Sequence, residues 1–457
     1  DRRQRQMCIR DRRDAKATVP EVRFPEFVDA QNWSVAPMRK LYAFMRNNLL
    51  SRDKLNYERG VAKNIHYGDI HTKFQALFDI TRESVPFINE SESVPGADSE
   101  DYCVEGDLIF ADASEDMRDV GKCIEVIRLA GERLLSGQHT ILARPKDDAL
   151  VIGFGGHLFR SGLMRSRIEK EAQGTKVYQI SSSRLGGIDI TYPSGKGEQQ
   201  KIADCLTSLD EVIAAQGRKV EALKAHKRGL MQQLFPREGE TRPRLRFPEF
   251  RDAPEWEVEP LAYYVASLDA GVSVNSGDRP ACGDQVGVLK TSCVANGVFD
   301  SQENKVVQDL SEIERVKEPV RANTILISRM NTIALVGANA FVEKDAPNLF
   351  LPDRLWAAKV TPKGHARFLA YVLGSERGRA ALSGLASGSS GTMKNIGKAE
   401  VLALQIYAPS LPEQQRIADC LSSLDTQIAA ESRQLAALKA HKQGLMQQLF
   451  PVASEVA

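Results

Sequence analysis

The sequence predicts an α+β protein made of two copies of one plan, in which each copy ends in a long helix. Two internal repeats carry this prediction. Residues 198–236 and 413–451 align without a gap, and 29 of the 39 positions are identical. The pentapeptide RFPEF stands at 23–27 and again at 246–250. Because internal repeats decide the architecture, we interpret the chain as two halves, each with a shared head, a variable body and a shared helical tail.

The heads and tails also set the predicted domain limits. Each RFPEF is followed at the same distance by a tryptophan, Trp33 in the first half and Trp256 in the second. The predicted order is a non-native or disordered N-terminal segment (1–19), a first body domain (20–197), a first spacer helix (198–236), a second body domain (237–410), a second spacer helix (411–451) and a tail (452–457).

The composition is that of a soluble globular protein and excludes several classes. The 457 residues are 42% hydrophobic and 26% charged, and no apolar run approaches the ~18–20 residues that a membrane span needs. No signal peptide is visible. The net charge of +1 gives no argument for nucleic-acid binding, so any basic surface must be local. The seven cysteines form no CxxC pair, which favours reduced thiols in a cytoplasmic protein.

The repeated tails are predicted to be helices with a heptad seam, because apolar residues recur in alternating steps of four and three. The apolar seam residues are Ile202, Leu206, Leu209, Ile213, Val220, Leu223 and Leu230 in the first tail and Ile417, Leu421, Leu424, Ile428, Leu435, Leu438 and Leu445 in the second. A helix this long needs a partner, so we predict an antiparallel coiled coil about a pseudo-two-fold axis. The alternative is that each helix packs only on its own body.

Polar residues interrupt the seam at matching places in the two tails. They are Gln216 and Lys227 in the first tail and Glu431 and Lys442 in the second. We expect the pairs Gln216 with Glu431 and Lys227 with Lys442 to set the register.

The two bodies also show a weak mutual likeness. Residues 106–126 can be laid over 322–342, which places Ile109 opposite Ile325. A second pair of segments is 174–194 with 391–410. Both bodies mix β-rich runs with a few helical stretches, so each is predicted to be an α+β domain with a twisted, mostly antiparallel sheet. Two copies of one fold with divergent surfaces suit a protein that reads two different things.

A search for catalytic motifs excludes several enzyme classes. The SGKG at 194–197 lacks the earlier glycine and the later Ser or Thr of a phosphate-binding loop. The acidic-Pro-Pro-aromatic and Asn-Pro-Pro-aromatic motifs of amino-methyltransferases do not occur. His66 and His71 lie five residues apart on a predicted strand or loop, without the carboxylate spacing of a metal site. We interpret both as surface polar residues or DNA contacts.

The arrangement of heads, bodies and tails resembles the specificity subunit of type I restriction–modification systems over essentially residues 20–451. The helix starts EQQKIADCLTSLD (198–210) and EQQRIADCLSSLD (413–425) carry this resemblance, together with the RFPEF heads and their tryptophans. NIHYGDIHT (64–72) in the first body and VLKTSCVANGVF (288–299) in the second also fit.

The resemblance implies a non-catalytic subunit. Each body would be a target-recognition domain that reads one half of a bipartite double-stranded DNA sequence, and the two helices would fix the gap and dock two methyltransferase subunits. S-adenosylmethionine, ATP and Mg are then expected on partner subunits, with no cofactor, metal or membrane for this chain. Restriction subunits are a further expected partner. The alternative is a coiled-coil DNA-binding scaffold or regulator without a methyltransferase partner.

Candidate DNA-binding residues are the Arg, Lys, Asn, Ser, Thr, His and Tyr side chains of the body segments that are able to reach base edges or phosphates. For each one, a solvated surface role is the alternative. In the first body they are Lys54, Tyr57, Arg59, Lys63, Asn64, His66, Tyr67, His71, Arg160, Arg165, Arg167 and Lys176. In the second body they are Lys290, Thr291, Ser292, Arg329, Asn331, Arg354, Ser389, Ser390, Thr392 and Lys394.

Overall fold

The computed structural model describes residues 19–96, 99–387 and 393–451. The predicted N-terminal segment up to residue 18 and the tail 452–457 lie outside the described residues. The chain forms two compact units: unit 1 comprises residues up to Arg218 together with those from Arg433 onward, and unit 2 comprises Lys219–Ser432. Each unit contains helices and sheets, as the predicted α+β class requires.

Unit 1 contains short strands, short helices and one end of each long helix. Its strands are β1 (Ser34–Pro37), β2 (Tyr42–Met45), β3 (Leu55–Asn56), β4 (Lys63–Ile65), β5 (Leu77–Asp79), β6 (Phe87–Ile88), β7 (Leu108–Ala111), β8 (Ala113–Ser114), β9 (Cys123–Arg128), β10 (Leu134–Ser136), β11 (Thr140–Pro145), β12 (Tyr178–Gln179) and β13 (Asp189–Tyr192). Its short helices are α1 (Met38–Leu41), α2 (Tyr67–Thr72), α3 (Phe154–Leu158), α4 (Gly162–Glu171) and α5 (Ser182–Gly187), with 3-10 turns at Pro25–Phe27 and Arg52–Lys54.

The long helix α6 (Lys196–Leu234) then leads into unit 2, which has the same kinds of element. Its strands are β14 (Glu257–Pro260), β15 (Val265–Ala270), β16 (Gly287–Leu289), β17 (Asn304–Val306), β18 (Pro319–Val320), β19 (Thr324–Ser328), β20 (Met330–Asn331), β21 (Asn339–Phe341), β22 (Ala346–Phe350), β23 (Leu355–Val360), β24 (Lys394–Asn395) and β25 (Gln405–Ala408). Its short helices are α7 (Leu261–Tyr264), α8 (Leu310–Ile313), α9 (Ala366–Gly374), α10 (Glu376–Gly384) and α11 (Lys398–Leu402), with 3-10 turns at Pro248–Phe250 and Thr291–Val294; the second long helix is α12 (Leu411–Leu449).

The sheets of the two units follow one design. In unit 1 the larger sheet has the order β2-β11-β7-β9-β5, and in unit 2 it has the order β15-β23-β19-β21. Each unit also has a second sheet of four strands. Its order is β10-β4-β6-β3 in unit 1 and β17-β16-β22-β18 in unit 2. Most pairings are antiparallel, whereas β5 with β9, β10 with β4 and β16 with β22 are parallel. The prediction of mostly antiparallel sheets is confirmed.

The internal alignment of the bodies is correct at the glycines but wrong by one residue on the central strand. Gly121 and Gly337 both have positive φ (65° and 73°), and both donate to the last residue of the central strand, Ala111 or Ser328. The connection between strand and glycine is one residue longer in unit 1. By strand pairing Ile325 therefore corresponds to Leu108 rather than to Ile109. A one-residue shift matters because it moves a side chain to the other face of the sheet.

The two long helices confirm the predicted seam. Each has 39 residues. The first begins and ends two residues before the predicted limits, and the second begins at the predicted residue and ends two residues early. None of the predicted seam residues is exposed: Ile202, Leu206, Val220, Ile417 and Leu421 are buried, and the other apolar seam residues are half-buried. The repeated cysteines of the tails are half-buried free thiols.

Within each unit, ion pairs join the two long helices in an antiparallel orientation. In unit 1 the Lys442 ammonium binds the Asp210 carboxylate at 2.5 Å. In unit 2 the Lys227 ammonium binds Asp425 at 2.5 Å. These are the same two positions of the repeat with the helices exchanged. The predicted match of Lys227 with Lys442 is therefore wrong, because each lysine lies against an aspartate that neutralises its charge.

A buried arginine–glutamate pair joins each head to the start of a long helix. The Arg23 guanidinium donates to both carboxylate oxygens of Glu198 at 2.8 and 2.5 Å, and the Arg246 guanidinium donates to Glu413 at 2.8 and 2.7 Å. All four side chains are at most 7% exposed. The indole of Trp33 also donates to Glu198 at 3.2 Å. The RFPEF head and the EQQ helix start thus recur together because they form one joint.

The next glutamine of each helix start fixes the body. The Gln199 amide donates to the carbonyl of Pro193 at 2.8 Å and accepts from the backbone of Val151 at 2.9 Å. Gln414 repeats the first contact with Pro409 at 2.9 Å and accepts from the backbone of His365 at 2.9 Å. The helix start therefore holds the head with one side chain and the body with the next.

Glu125 is a buried carboxyl group that distinguishes unit 1. It lies on β9 and accepts hydrogen bonds from the backbone of Gly153 (2.9 Å) and Gly156 (2.7 Å) at the start of α3. Burial raises the pKa of Glu125 to about 7, although both backbone donors favour the carboxylate. Its counterpart in unit 2 by strand pairing is Phe341.

The substitution Glu198→Gln is expected to destabilise unit 1 by about 3 kcal/mol, because it leaves the buried Arg23 without its counter-charge. The matched control is Glu26→Gln, which removes an exposed ion pair with Lys201 at the same joint. Unfolding in urea, followed by circular dichroism, measures both. An equal effect of the two substitutions would contradict a dominant role for the buried pair.

The contribution of Glu125 to the unfolding free energy of unit 1 is expected to fall as pH rises from about 4.5 to above 7. Glu125 has a higher pKa in the folded chain than in the unfolded chain, so the folded state holds its proton more tightly and loses that advantage once the group ionises. The difference of roughly 2.5 pKa units corresponds to about 3 kcal/mol. Buried His157, whose pKa burial lowers to about 3, changes the stability of unit 1 in the opposite direction. The test is therefore the difference in urea midpoint between the wild type and Glu125→Gln, which is expected to shift in favour of the variant from pH 5 to pH 8. An equal difference at both pH values would show that Glu125 does not cause the dependence.

Candidate nucleic-acid interface

In each unit the central strand of the larger sheet ends at a polar corner. In unit 1 the residue after β7 is Asp112, whose backbone N–H donates to His139 at 3.1 Å and whose carbonyl accepts from Ile180 at 2.9 Å. We call Asp112, His139 and Arg184 the unit 1 corner.

The same backbone frame recurs in unit 2. The residue after β19 is Arg329, whose N–H donates to Arg354 at 3.0 Å and whose carbonyl accepts from Ile396 at 3.0 Å. We call Arg329, Asn331, Arg354 and Lys394 the unit 2 corner.

The unit 1 corner combines an imidazole with a carboxylate. His139 has a left-handed backbone (φ 57°), and its Nδ1 lies 3.3 Å from the carboxylate of Asp112. Burial raises the pKa of Asp112. A cleft of about 520 Å³ is lined by both residues and by Arg184. The corner therefore offers hydrogen-bond donors and acceptors at an accessible edge of the sheet.

Helix α2 lies next to this corner through aromatic contacts. The ring of Tyr67 is 5.3 Å from that of His139, 4.6 Å from that of His66 and 6.0 Å from that of His71. His66 caps the helix by accepting from the backbone of Gly68 at 3.1 Å, and burial lowers the pKa of His66. The prediction that His66 and His71 lie on a strand or loop is wrong for His71, because residues 67–72 form this helix.

The side chain of His71 in α2 also contacts the backbone of a neighbouring strand. His71 Nε2 lies 2.9 Å from the carbonyl of Ala113, the first residue of β8. The segment NIHYGDIHT thus joins the second sheet of unit 1 to its corner.

The unit 2 corner is cationic. The Arg329 guanidinium lies over the ring of Trp356 at 5.5 Å. Asn331 pairs with Lys394 in the short β20–β24 ladder, and the Asn331 amide donates to Ser328 at 3.2 Å. The side chain of Arg354 is exposed. The unit 2 corner thus has three cations, whereas the unit 1 corner has one, Arg184, with an imidazole and a carboxylate.

The segment around Lys290, Thr291 and Ser292 occupies the place in unit 2 that α2 has in unit 1. It follows β16 as α2 follows β4, and it forms a 3-10 turn. Lys290 lies 3.6 Å from the carboxylate of Glu303, and the Ser292 hydroxyl donates to the same carboxylate at 2.5 Å. Thr291 is half-buried. This turn is polar and has no excess positive charge of its own.

The early candidates of unit 1 are mostly held by neighbours. Asn64 is wholly buried and accepts from Asn48 at 2.6 Å, which does not fit the prediction of a DNA contact. Four others are surface residues with protein partners: Lys54 with Glu92 (3.0 Å), Arg59 with Glu90 (3.4 Å), Lys63 with Glu132 (2.9 Å) and Tyr57 with Lys73 (3.1 Å).

Three predicted arginines of unit 1 bind backbone carbonyls. Arg160 donates to Cys123 (3.1 Å), Arg165 donates to Val120 (2.6 Å) and Arg118 (2.8 Å), and Arg167 donates to Asp189 (2.6 Å). Burial lowers the pKa of all three guanidinium groups. These contacts do not fit a primary role in DNA binding. Lys176, on the loop before β12, is exposed.

Arg165 has a structural counterpart that the sequence search did not select. Arg379 of α10 donates to the carbonyl of Ala334 at 3.1 Å, as Arg165 of α4 donates to Arg118. A Cβ atom on either positive-φ glycine, Gly121 or Gly337, would come within 4 Å of the neighbouring arginine. The arginine–glycine contact is thus part of the duplicated frame.

The sequence analysis missed Asp112, His139 and Arg184. The internal alignment could have pointed to them. It covered residues 106–126 and 174–194 and did not reach His139. At the register of the structure, His139 falls opposite the selected Arg354. Ser389, Ser390 and Thr392 lie outside the described residues.

Two chemical classes find no support in the described part of the chain. No group of three or more His, Cys, Asp or Glu side chains there has the geometry to hold a metal ion. No helix there is long and apolar enough to cross a membrane.

Comparisons with known proteins point to one family. The family described as type I restriction modification DNA specificity domain matches residues 295–440. A protein of Methanocaldococcus jannaschii named "Putative type I restriction enzyme MjaX specificity subunit" is 23% identical over 437 residues, which are 92% of this chain and 93% of that protein. The type I restriction enzyme MjaVIII specificity subunit of the same organism is 24% identical over 293 residues, which are 63% of this chain and 67% of that protein.

Two solved structures share the fold. The S subunit of a type I restriction–modification system from M. genitalium has a TM-score of 0.58 at 15% identity and covers 95% of this chain and 100% of its own. A second chain comes from a structure described as "Structural basis underlying complex assembly and conformational transition of the type I R-M system". It has a TM-score of 0.51 at 16% identity. It covers 92% of this chain and 97% of its own.

The substitution Arg165→Ala is expected to destabilise unit 1 by about 2 kcal/mol, because it removes the donors of two carbonyls. It is expected to leave any DNA sequence preference unchanged. Arg379→Ala should behave alike in unit 2, and Lys170→Ala on the exposed face of α4 is the control with no expected change. Thermal unfolding and the sequence preference are measured together. An altered preference at full stability would return Arg165 to the interface.

Proposed function

We propose that this chain, which belongs to the family of type I restriction–modification specificity subunits, reads a bipartite DNA target with one half-site for each unit. The observation that carries the proposal is the duplicated frame with two unlike corners. The backbone bonds of Asp112 with His139 and of Arg329 with Arg354 are alike, whereas the side chains differ. A fold that repeats its frame and changes its polar edge suits the reading of two different sequences.

The proposal assigns the gap between the half-sites to the long helices. Both helices are continuous over 39 residues, and each contributes residues to both units. A continuous helix is a stiff spacer, so it suits a target whose two halves are separated by a fixed number of base pairs.

The proposal also assigns two equivalent docking surfaces for two methyltransferase subunits to these helices. Exposed positions of the helices are free to diverge, yet many are identical in the two copies. Such pairs are Asp204 with Asp419, Ser208 with Ser423, Arg218 with Arg433, Lys224 with Lys439 and His226 with His441. Two copies of one partner would account for exposed residues that remain alike.

Catalysis would reside in the partners. In this proposal the chain is a non-catalytic subunit of a cytoplasmic complex, and S-adenosylmethionine binds the methyltransferase subunits. ATP and Mg bind restriction subunits where those are present. The chain itself supplies positioning, which raises the rate of a reaction by holding the target base at the catalytic group.

A methylation map tests the proposal directly. The chain is co-expressed with the methyltransferase encoded beside it in a host free of adenine methylation, and the genome is sequenced for modified adenine. We expect one split motif with a fixed gap, methylated on both strands. A short continuous motif would show that one unit does the reading, and a failure to form any complex would favour a scaffold or regulator without a methyltransferase partner.

Within this map, Arg329→Ala is expected to weaken DNA binding and to blur one half of the motif. Arg329 lies over Trp356, and loss of an arginine contact to a base typically costs about 1–3 kcal/mol. The matched control is Arg321→Ala, an exposed arginine three residues before β19, whereas Arg329 directly follows that strand. Unchanged affinity together with an unchanged motif would remove Arg329 from the interface.

A further inference from the structure

Positions 139 and 354 are equivalent in the two units. Each directly precedes the strand that pairs with the central strand: Thr140 pairs with Ala111, and Leu355 pairs with Ser328. Each also gives its carbonyl to the first residue beyond the central strand.

The backbone at both positions is held firmly. Before His139, the N–H of Gly137 donates to Ile65 at 3.0 Å, and the carbonyl of Gly137 accepts from Asn47 at 3.2 Å. In unit 2 the N–H of Leu351 donates to the carbonyl of Glu318 at 3.1 Å, and the turn that contains Arg354 is closed by the N–H of Leu355, which donates to the carbonyl of Pro352 at 3.4 Å. Side chains on a fixed edge of a rigid sheet are suited to precise recognition.

His139 has a conformation that few residues other than glycine adopt. A left-handed backbone costs a residue with a Cβ atom about 1 kcal/mol or more, and such residues gather at binding and catalytic sites. The His139 side chain is 43% exposed and touches the carboxylate of Asp112. The strand pairing itself does not require an imidazole here, since an arginine without the left-handed backbone, Arg354, makes the equivalent backbone bond in unit 2.

The surroundings of the two positions differ in charge. Arg354 is accompanied by the cations Arg329 and Lys394 and by the neutral amide of Asn331. His139 is accompanied by Asp112 and Tyr67, which bring acceptors, and by one cation, Arg184. The fork of an arginine side chain matches the O6 and N7 acceptors of guanine in the major groove. A histidine beside a carboxylate presents a different pattern.

We propose that His139 and Arg354 are equivalent specificity-determining positions, each reading one base pair of its own half-site, and that Arg354 selects guanine. The proposal rests on the proposed function. The proposed function assigns one half-site to each unit, and this proposal names one side chain in each unit that determines a base of that half-site.

Reciprocal substitution tests the proposal in the full chain with its methyltransferase. The variant R354H is expected to lower the preference for guanine at one base pair of one half-site by about tenfold or more. The variant H139R is expected to introduce a guanine preference at one base pair of the other half-site. Methylation maps of each variant give both results, because every half-site is scored separately.

Matched controls separate recognition from folding. R321H places the same change on an exposed arginine three residues before β19, and A130R places an arginine on another exposed residue with a left-handed backbone (φ 52°). Neither is expected to change the motif. The milder variants R354Q and H139Q, checked by thermal unfolding, replace any swap that fails to fold.

The outcomes are distinct. Changes confined to one half-site, and to different halves for the two variants, support the proposal. A folded pair of variants with an unchanged motif, or variants that both alter the same half, overturns it. A wild-type map without a split motif would instead contradict the proposed function, and the variants would then not be needed to decide.

Discussion

The buried arginine–glutamate joint is the interaction on which the rest of each unit depends. Arg23 with Glu198, and Arg246 with Glu413, bring together a head, a body and a long helix at one point. An ion pair this buried is costly to break because neither charge regains water. The neighbouring Gln199 and Gln414 extend the joint to the body by binding backbone, so the body can change its side chains without loosening it.

This division explains why the chain keeps some segments alike and lets others differ. The contacts of the joint and of the helix seam are made by side chains, so those side chains recur in both copies. The corners of the sheets are built by backbone bonds, and their side chains can therefore differ between the two units. Asp112 and His139 in one unit, and Arg329 and Arg354 in the other, stand on the same frame with opposite chemistry.

The sequence predicted most of the architecture and little of the interface. The helices, their seam and their ends follow from a strong 3–4 period that occurs twice, so the burial of Leu206 and Leu421 could be predicted without tertiary information. The register of the bodies depended on the length of one loop, so Ile109 was matched to the wrong residue. Arg160, Arg165 and Arg167 were selected for their charge, but an arginine has five donors and backbone carbonyls in the fold use them. His139 was missed because only the fold brings it to Asp112.

The exchanged ion pairs make each long helix self-complementary. Asp210 and Lys227 stand on one helix, and their equivalents Asp425 and Lys442 stand on the other in the same order. The aspartate and the lysine of these interhelical pairs are thus both present on each helix. Recombination between the two repeats would remove one head, one body and one tail. A product reduced to one head, one body and one tail would still carry both partners of each pair, so two such chains would be complementary to each other.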